Sequence, residues 1–132
     1  TNKIICPIMD ARRNQVYAAF YMWENGKMLR LTDHMAESID RIIEIAEILE
    51  REVIFLGDGV AVHREKLEQN ENFIFAPSHC NMQRASAVAA LGCILAEEGM
   101  AKKGDEFELI YLRKSQAERE REERLAKEEE QK

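Results

Sequence analysis

The side chains best placed to do chemistry fall in two short stretches. Asp10, Arg12, Arg13 and Asn14 share one turn, and Arg113 and Lys114 stand together far downstream. A carboxylate beside two guanidinium groups can close its own turn through an Asx bond and an ion pair. It can also leave planar forks free for a partner's carboxylate or an RNA phosphate. Asp10, Arg12, Arg13, Arg113 and Lys114 are therefore the candidate contacts to a partner protein or to RNA. Gly57, Asp58 and Gly59 follow a strand-like run, where glycines serve either tight turning into a helix or a phosphate at the helix N-terminus. A lone triplet of this kind favours the turn. His34, His63 and His79 are separated by 29 and 16 residues, so no two imidazoles share a helical face as a metal pair requires. A two-metal nuclease needs several converging carboxylates, and the first strand offers only Asp10, at its end. No catalytic or metal-ligating residue is assigned, and no cofactor is expected.

The bulk properties narrow the classes further. A chain of 132 residues buries roughly two-thirds of its unfolded surface, enough for one core. With 25 acidic against 19 basic side chains and a net charge of -6, it is not built to coat a nucleic acid by phosphate neutralisation. Cys6, Cys80 and Cys93 are odd in number and far apart, which reads as reduced thiols in a cytoplasmic protein. No apolar run approaches the roughly 20 residues of a membrane span, and Thr1, Asn2 and Lys3 lead straight into a strand-like segment without a signal-peptide core.

The elements that must position these residues follow from periodicity. Ile4 to Met9 reads as a buried strand with an unpaired or bulged position at Pro7. Gln15 to Trp23 alternates, with Val16, Ala18, Phe20 and Met22 on one side and Tyr17, Ala19, Tyr21 and Trp23 on the other, so both faces call for cover. Asn25 and Gly26 mark a type I′ turn, and Met28 to Leu31 returns antiparallel. Ala36 to Arg51 then carries apolar residues at helical spacing, Ile39, Ile42, Ile43, Ala46 and Leu49. Val53 to Leu56 is a short strand, Val60 to Gln69 a helix and Asn72 to Ala76 a further strand. Gln83 to Glu98 is a third helix, whose small stripe of Ala85, Val88, Ala89, Gly92 and Ala96 suits close approach to the sheet. Phe107 to Arg113 is extended, with Tyr111 and Leu112 as packing. The tail from Ser115 to Lys132 mixes seven Glu with five basic residues. Pairs such as Arg119 with Glu123 support a solvated helix there, with a partner-docking arm as the minority reading. Three antiparallel strands followed by alternating helices and parallel strands describe an α/β mixed sheet of the ribonuclease-H-like kind, the unit of the actin, Hsp70 and sugar-kinase superfamily.

Two stretches resemble a known family. Ile8 to Tyr21 is similar to the "DARR, then V-Y-A-A-x-Y" hairpin of the TsaB family, also called YeaZ, and Tyr111 to Glu118 is similar to its closing "YLR..AE". The resemblance runs from about Ile4 to Glu118 and covers the second lobe alone. It divides the chain into a ribonuclease-H-like C-terminal lobe at 1–114 and a charged tail at 115–132. The strand with a D-T-S motif that opens the first lobe is absent, and Ile110 stands where the family pattern has Pro.

The resemblance implies a non-catalytic homologue of the TsaD (glycoprotease) family. Such a protein is a scaffold in making threonylcarbamoyladenosine next to the anticodon of tRNA. Its implied partners are a TsaD-like catalytic subunit and a TsaE-like ATPase, with tRNA met through the complex. Apart from the resemblance, the Tyr17, Tyr21 and Trp23 face reads as core under a helix, and in a lobe severed from the first it is a candidate surface for a second copy of the chain. In the wider superfamily the turn at 10–14 cradles phosphate with glycines, which let backbone N–H groups close on an anion. Here it holds none. Two other readings stay open: the second lobe of an ATP-dependent phosphotransferase, and a small RNA-contacting module using Arg12, Arg13, Arg113 and Lys114.

Overall fold

The computed structural model describes residues 2–113 together with Arg121 and Arg124. Lys114 and nearly all of the 115–132 tail, with the helix pairs expected there, lie outside the described residues. The sheet is built on β1 (Ile4–Asp10). It pairs antiparallel with β2 (Gln15–Ala18) and β3 (Tyr21–Glu24) on one side and parallel with β6 (Val53–Leu56) on the other. The strand β7 (Phe73–Phe75) extends the parallel side beyond β6. On the antiparallel side, β4 (Lys27–Arg30) borders β3 and β5 (Met35–Ser38) borders β2. The result is a mixed α/β fold.

The single strand expected over Gln15 to Trp23 is divided, and Pro7 explains where. Ile8 pairs with Ala18 and Ile4 with Met22, so β2 and β3 keep one register along β1, which sets Pro7 opposite Ala19. Pro7 has no N–H to give, and the ladder lapses there. Phe20, the residue after Ala19, bonds the opposite neighbour. Its carbonyl accepts from Leu31 N–H at 2.7 Å and its N–H donates to the Thr32 hydroxyl at 3.1 Å. The Thr32 side chain thus stands in for a ladder carbonyl. The return strand carries an offset at this point, and it resumes as β5, an element that sequence periodicity had assigned to the first helix.

The helix α1 (Ile39–Ile48) accordingly begins later than Ala36, where the Ser38 hydroxyl caps Arg41 N–H at 3.2 Å, the usual role of serine at an N-cap. Asn25 and Gly26 take φ of 51° and 77°, as a type I′ turn requires. With α2 (Gly59–Leu67), α1 covers one sheet face. Ile4, Cys6 and Ile8 of β1 meet Val16, Val53 and Phe55 of the neighbouring strands and Phe20 between β2 and β3 there, under Ile39, Ile42, Val60 and Leu67 of the helices.

Three expectations are corrected. Cover on both faces is not found: among the described residues no helix packs on the second face, where Met9 is 41% and Trp23 45% exposed. The helix α3 (Ala85–Glu97) buries none of its residues, and a Cβ at Gly92 would meet nothing within 4 Å. Its small stripe does not lie against the sheet. Tyr111, expected as packing, is 80% exposed.

Candidate partner-binding site

The turn after β1 is held in an uncommon backbone conformation. Arg12, Arg13 and Asn14 have φ of 64°, 54° and 60°, the left-handed region that costs a side chain with a Cβ roughly 1–2 kcal/mol per residue. Several bonds enforce it. Asp10 Oδ1 accepts from Arg12 N–H at 2.9 Å, the Asx bond, and Asp10 Oδ2 lies 3.3 Å from Arg12 Nη1. Ala11 N–H donates to Gln15 O at 2.9 Å and Ile39 N–H to Asn14 O at 3.1 Å. Asn14 Nδ2 donates to Asp40, which also takes Lys66 Nζ at 2.6 Å. The hydrogen bond from Lys66 is the main reason the Asp40 carboxyl sits below its ordinary range.

The glycine turn at 57–59 is steric in origin. A Cβ on Gly57 would stand 2.2 Å from the Ile8 carbonyl oxygen, and φ there is 106°. The space a glycine would open for a phosphate is filled by the backbone of β1. Asp58 Oδ1 accepts from Asp10 N–H at 3.1 Å, so a backbone donor near the turn is already engaged by a carboxylate.

The three histidines do not converge. His34 Nε2 lies 3.0 Å from Tyr21 Oη, with Arg30 at 3.5 Å. His79 contributes its carbonyl to Arg84 Nη2. His63 is buried in α2, and its Nε2 has no hydrogen-bond partner among the described residues. Burial lowers the His63 pKa, assisted by Lys66 and opposed by the Asp10 and Asp40 charges. No group of three metal-ligating side chains exists among the described residues. Burial likewise pushes the Cys6 thiol up.

Of the five candidate contacts, four are brought together. Arg113 Nη1 donates to Ala11 O at 2.6 Å, which joins the closing stretch to the turn that carries Asp10, Arg12 and Arg13. Lys114 lies outside the described residues. Beside this junction runs a groove of about 460 Å³ on the open sheet face, floored by Pro7, Met9, Tyr17 and Tyr21 and walled by Ile110 to Arg113. Reading the sequence missed the groove and the buried His63, whose position on an otherwise ordinary helical pattern gave no signal.

No family model matches the chain. It is 32% identical over 92 residues to the tRNA threonylcarbamoyladenosine biosynthesis protein TsaB of Bacillus subtilis (strain 168). The similarity is to the TsaB (YeaZ) family. The match takes in 67% of this chain and 40% of that relative. Two solved structures share the fold at 17% identity: an uncharacterized protein with similarity to peptidase YeaZ from Pseudomonas aeruginosa, at a TM-score of 0.65, and YeaZ from Pseudomonas aeruginosa, at 0.62. They cover 83% and 82% of this chain, which in turn spans 49% of each. The chain thus spans about half the length, or less, of the TsaB and YeaZ proteins it matches. Among the described residues no helix is long and apolar enough to cross a membrane.

Proposed function

We propose that the chain is the second, ribonuclease-H-like lobe of a TsaB-like protein, at 1–114 with a charged tail at 115–132. On this reading it is a non-catalytic scaffold, supporting a TsaD-like catalytic subunit with a TsaE-like ATPase in threonylcarbamoyladenosine synthesis on cytoplasmic tRNA. The observation that carries this reading is the match to the Bacillus subtilis TsaB. The glycine-free turn at 10–14 and the carboxylate on Asp10 N–H support the absence of a phosphate cradle. Asp10, Arg12, Arg13, Arg113 and Lys114 are the proposed contacts to the rest of the assembly.

The test mixes the full-length protein with its TsaD and TsaE counterparts. Co-elution on gel filtration and loss of tRNA modification when the protein is left out are the expected results. Separate elution together with undiminished modification would remove the scaffold reading. Calorimetry with ATP decides the phosphotransferase alternative, which requires heat of binding that Asp58→Ala abolishes.

A further inference from the structure

The open sheet face, the basic turn and the Ile110 to Arg113 wall form one surface. We propose that this surface binds a short extended segment of a partner protein, apolar along most of its length and carrying carboxylates at one end. The inference rests on charge and exposure, and it stands whether or not the chain acts in tRNA modification.

The first argument is the charge of the lining. The chain carries 25 acidic side chains, yet the groove lining contains no Asp or Glu. Its charged member is Arg113, whose guanidinium meets the neutral carbonyl of Ala11. Arg12, 87% exposed, has only Asp10 of its own turn. Arg13 is exposed and makes no ion pair among the described residues. Arg113 thus lines the groove and adjoins, through Ala11, the turn that carries Arg12 and Arg13. The carboxylates at that turn are already engaged, Asp10 by Arg12, Asp58 by Asp10 N–H and Asp40 by Lys66, and planar guanidinium forks suit a partner's bidentate carboxylate.

The second argument is the apolar floor and wall. Met9, Ile110 and Tyr111 are exposed while Tyr17 and Tyr21 are half-buried, a mixture of Met, aromatic and Arg typical of protein interfaces. The length is set by the strands. From the Met9–Tyr17 pair to the Ile5–Tyr21 pair is four residues along β1, or about 13 Å, which fits an extended run of about four residues.

Nucleic acid is the less suitable occupant. Three clustered cations on a body of net charge -6 release few counterions, whereas RNA affinity grows with the number of phosphates neutralised. An apolar floor also offers nothing to a phosphate backbone.

The experiment is a selection from a displayed random-peptide library on the intact 132-residue chain. Fluorescence polarisation of the enriched peptide then follows, with the Arg13→Glu/Arg113→Glu and Tyr111→Ala variants. Arg13 and Tyr111 are exposed and Arg113 is half-buried, so circular dichroism checks that the fold is kept. Enriched peptides should share an apolar run with Asp or Glu at one end. The double charge reversal should weaken binding by about tenfold or more, and a peptide with Lys in place of the acids should bind that variant better than the native chain. Three results would overturn the proposal: no enrichment, enrichment without acids, or binding unaffected by the charge reversal. It would also be overturned if the same variant abolished binding of an unmodified tRNA transcript or self-association of the chain, which would give the surface to RNA or to a second copy. None of these measurements uses TsaD or TsaE, so failure here is separate from failure of the scaffold reading.

Discussion

The two faces of the sheet carry similar side chains and have opposite fates. On the covered face Ile4, Cys6, Ile8, Val16 and Phe20 are shut under α1 and α2. On the other, Ile5, Pro7, Tyr17 and Tyr21 stay half-buried and Met9 and Trp23 are exposed. Alternation along a strand distributes apolar groups to both sides but does not say which side receives a helix. The buried core is therefore concentrated on one face.

Mutations should separate the faces by size of effect. Phe55→Ala, which removes a fully buried ring that stacks edge-on with Phe73 at 5.0 Å, should cost about 3–5 kcal/mol in urea unfolding. A loss near that of a surface residue would mean that α1 and α2 do not seal this face. Gly57→Ala follows at about 3 kcal/mol, the upper end of common single-site effects, since its methyl would meet the Ile8 carbonyl.

His63 adds a pH dependence to the covered face. Its folded-state pKa lies below the ordinary value, so the unfolded chain takes up the proton first as pH falls. The stability held by neutral His63 is complete above pH of about 6.5, the unfolded value, and declines as pH drops from there toward the folded-state pKa. Unfolding midpoints measured between pH 8 and pH 5 should show that decline, and His63→Gln should flatten it. An unchanged slope would place the titration elsewhere.

Smaller effects belong to the turn and the open side. Arg13→Gly relieves a left-handed backbone but frees the unfolded chain, so the net change should be a stabilisation of less than about 1 kcal/mol. Val88→Ser, on a helix with no buried residue, should move the midpoint by no more than about 0.5 kcal/mol. A large loss at Val88 would show that α3 has a packing partner in solution. Thiol labelling gives a matching contrast, with exposed Cys93 reacting freely and buried Cys6 protected until the chain unfolds.

Local patterns made several elements legible. The spacing of Ile39, Ile42 and Ala46 identified α1, the apolar run Val53 to Leu56 identified β6, and Asn25-Gly26 fixed the turn between β3 and β4. The start of α1 was misplaced because Met35 to Ser38 pairs with β2 through partners far away in sequence. The third helix was legible as a helix, but its small stripe suggested a neighbour that the described residues do not supply. At the site, Asp10 and Arg12 announced their own turn. The meeting of that turn with Arg113 depends on a bond between residues 102 positions apart.

By itself the sequence determined the short-range chemistry: the type I′ turn, the proline without a donor and the turn without glycine. Each of these follows from the stereochemistry of a few adjacent residues. Only the tertiary structure decided which face of the sheet is closed, why Gly57 must be glycine and where the free guanidinium groups gather. Those outcomes depend on the packing of β1 against segments distant in the chain, and no local pattern encodes that contact.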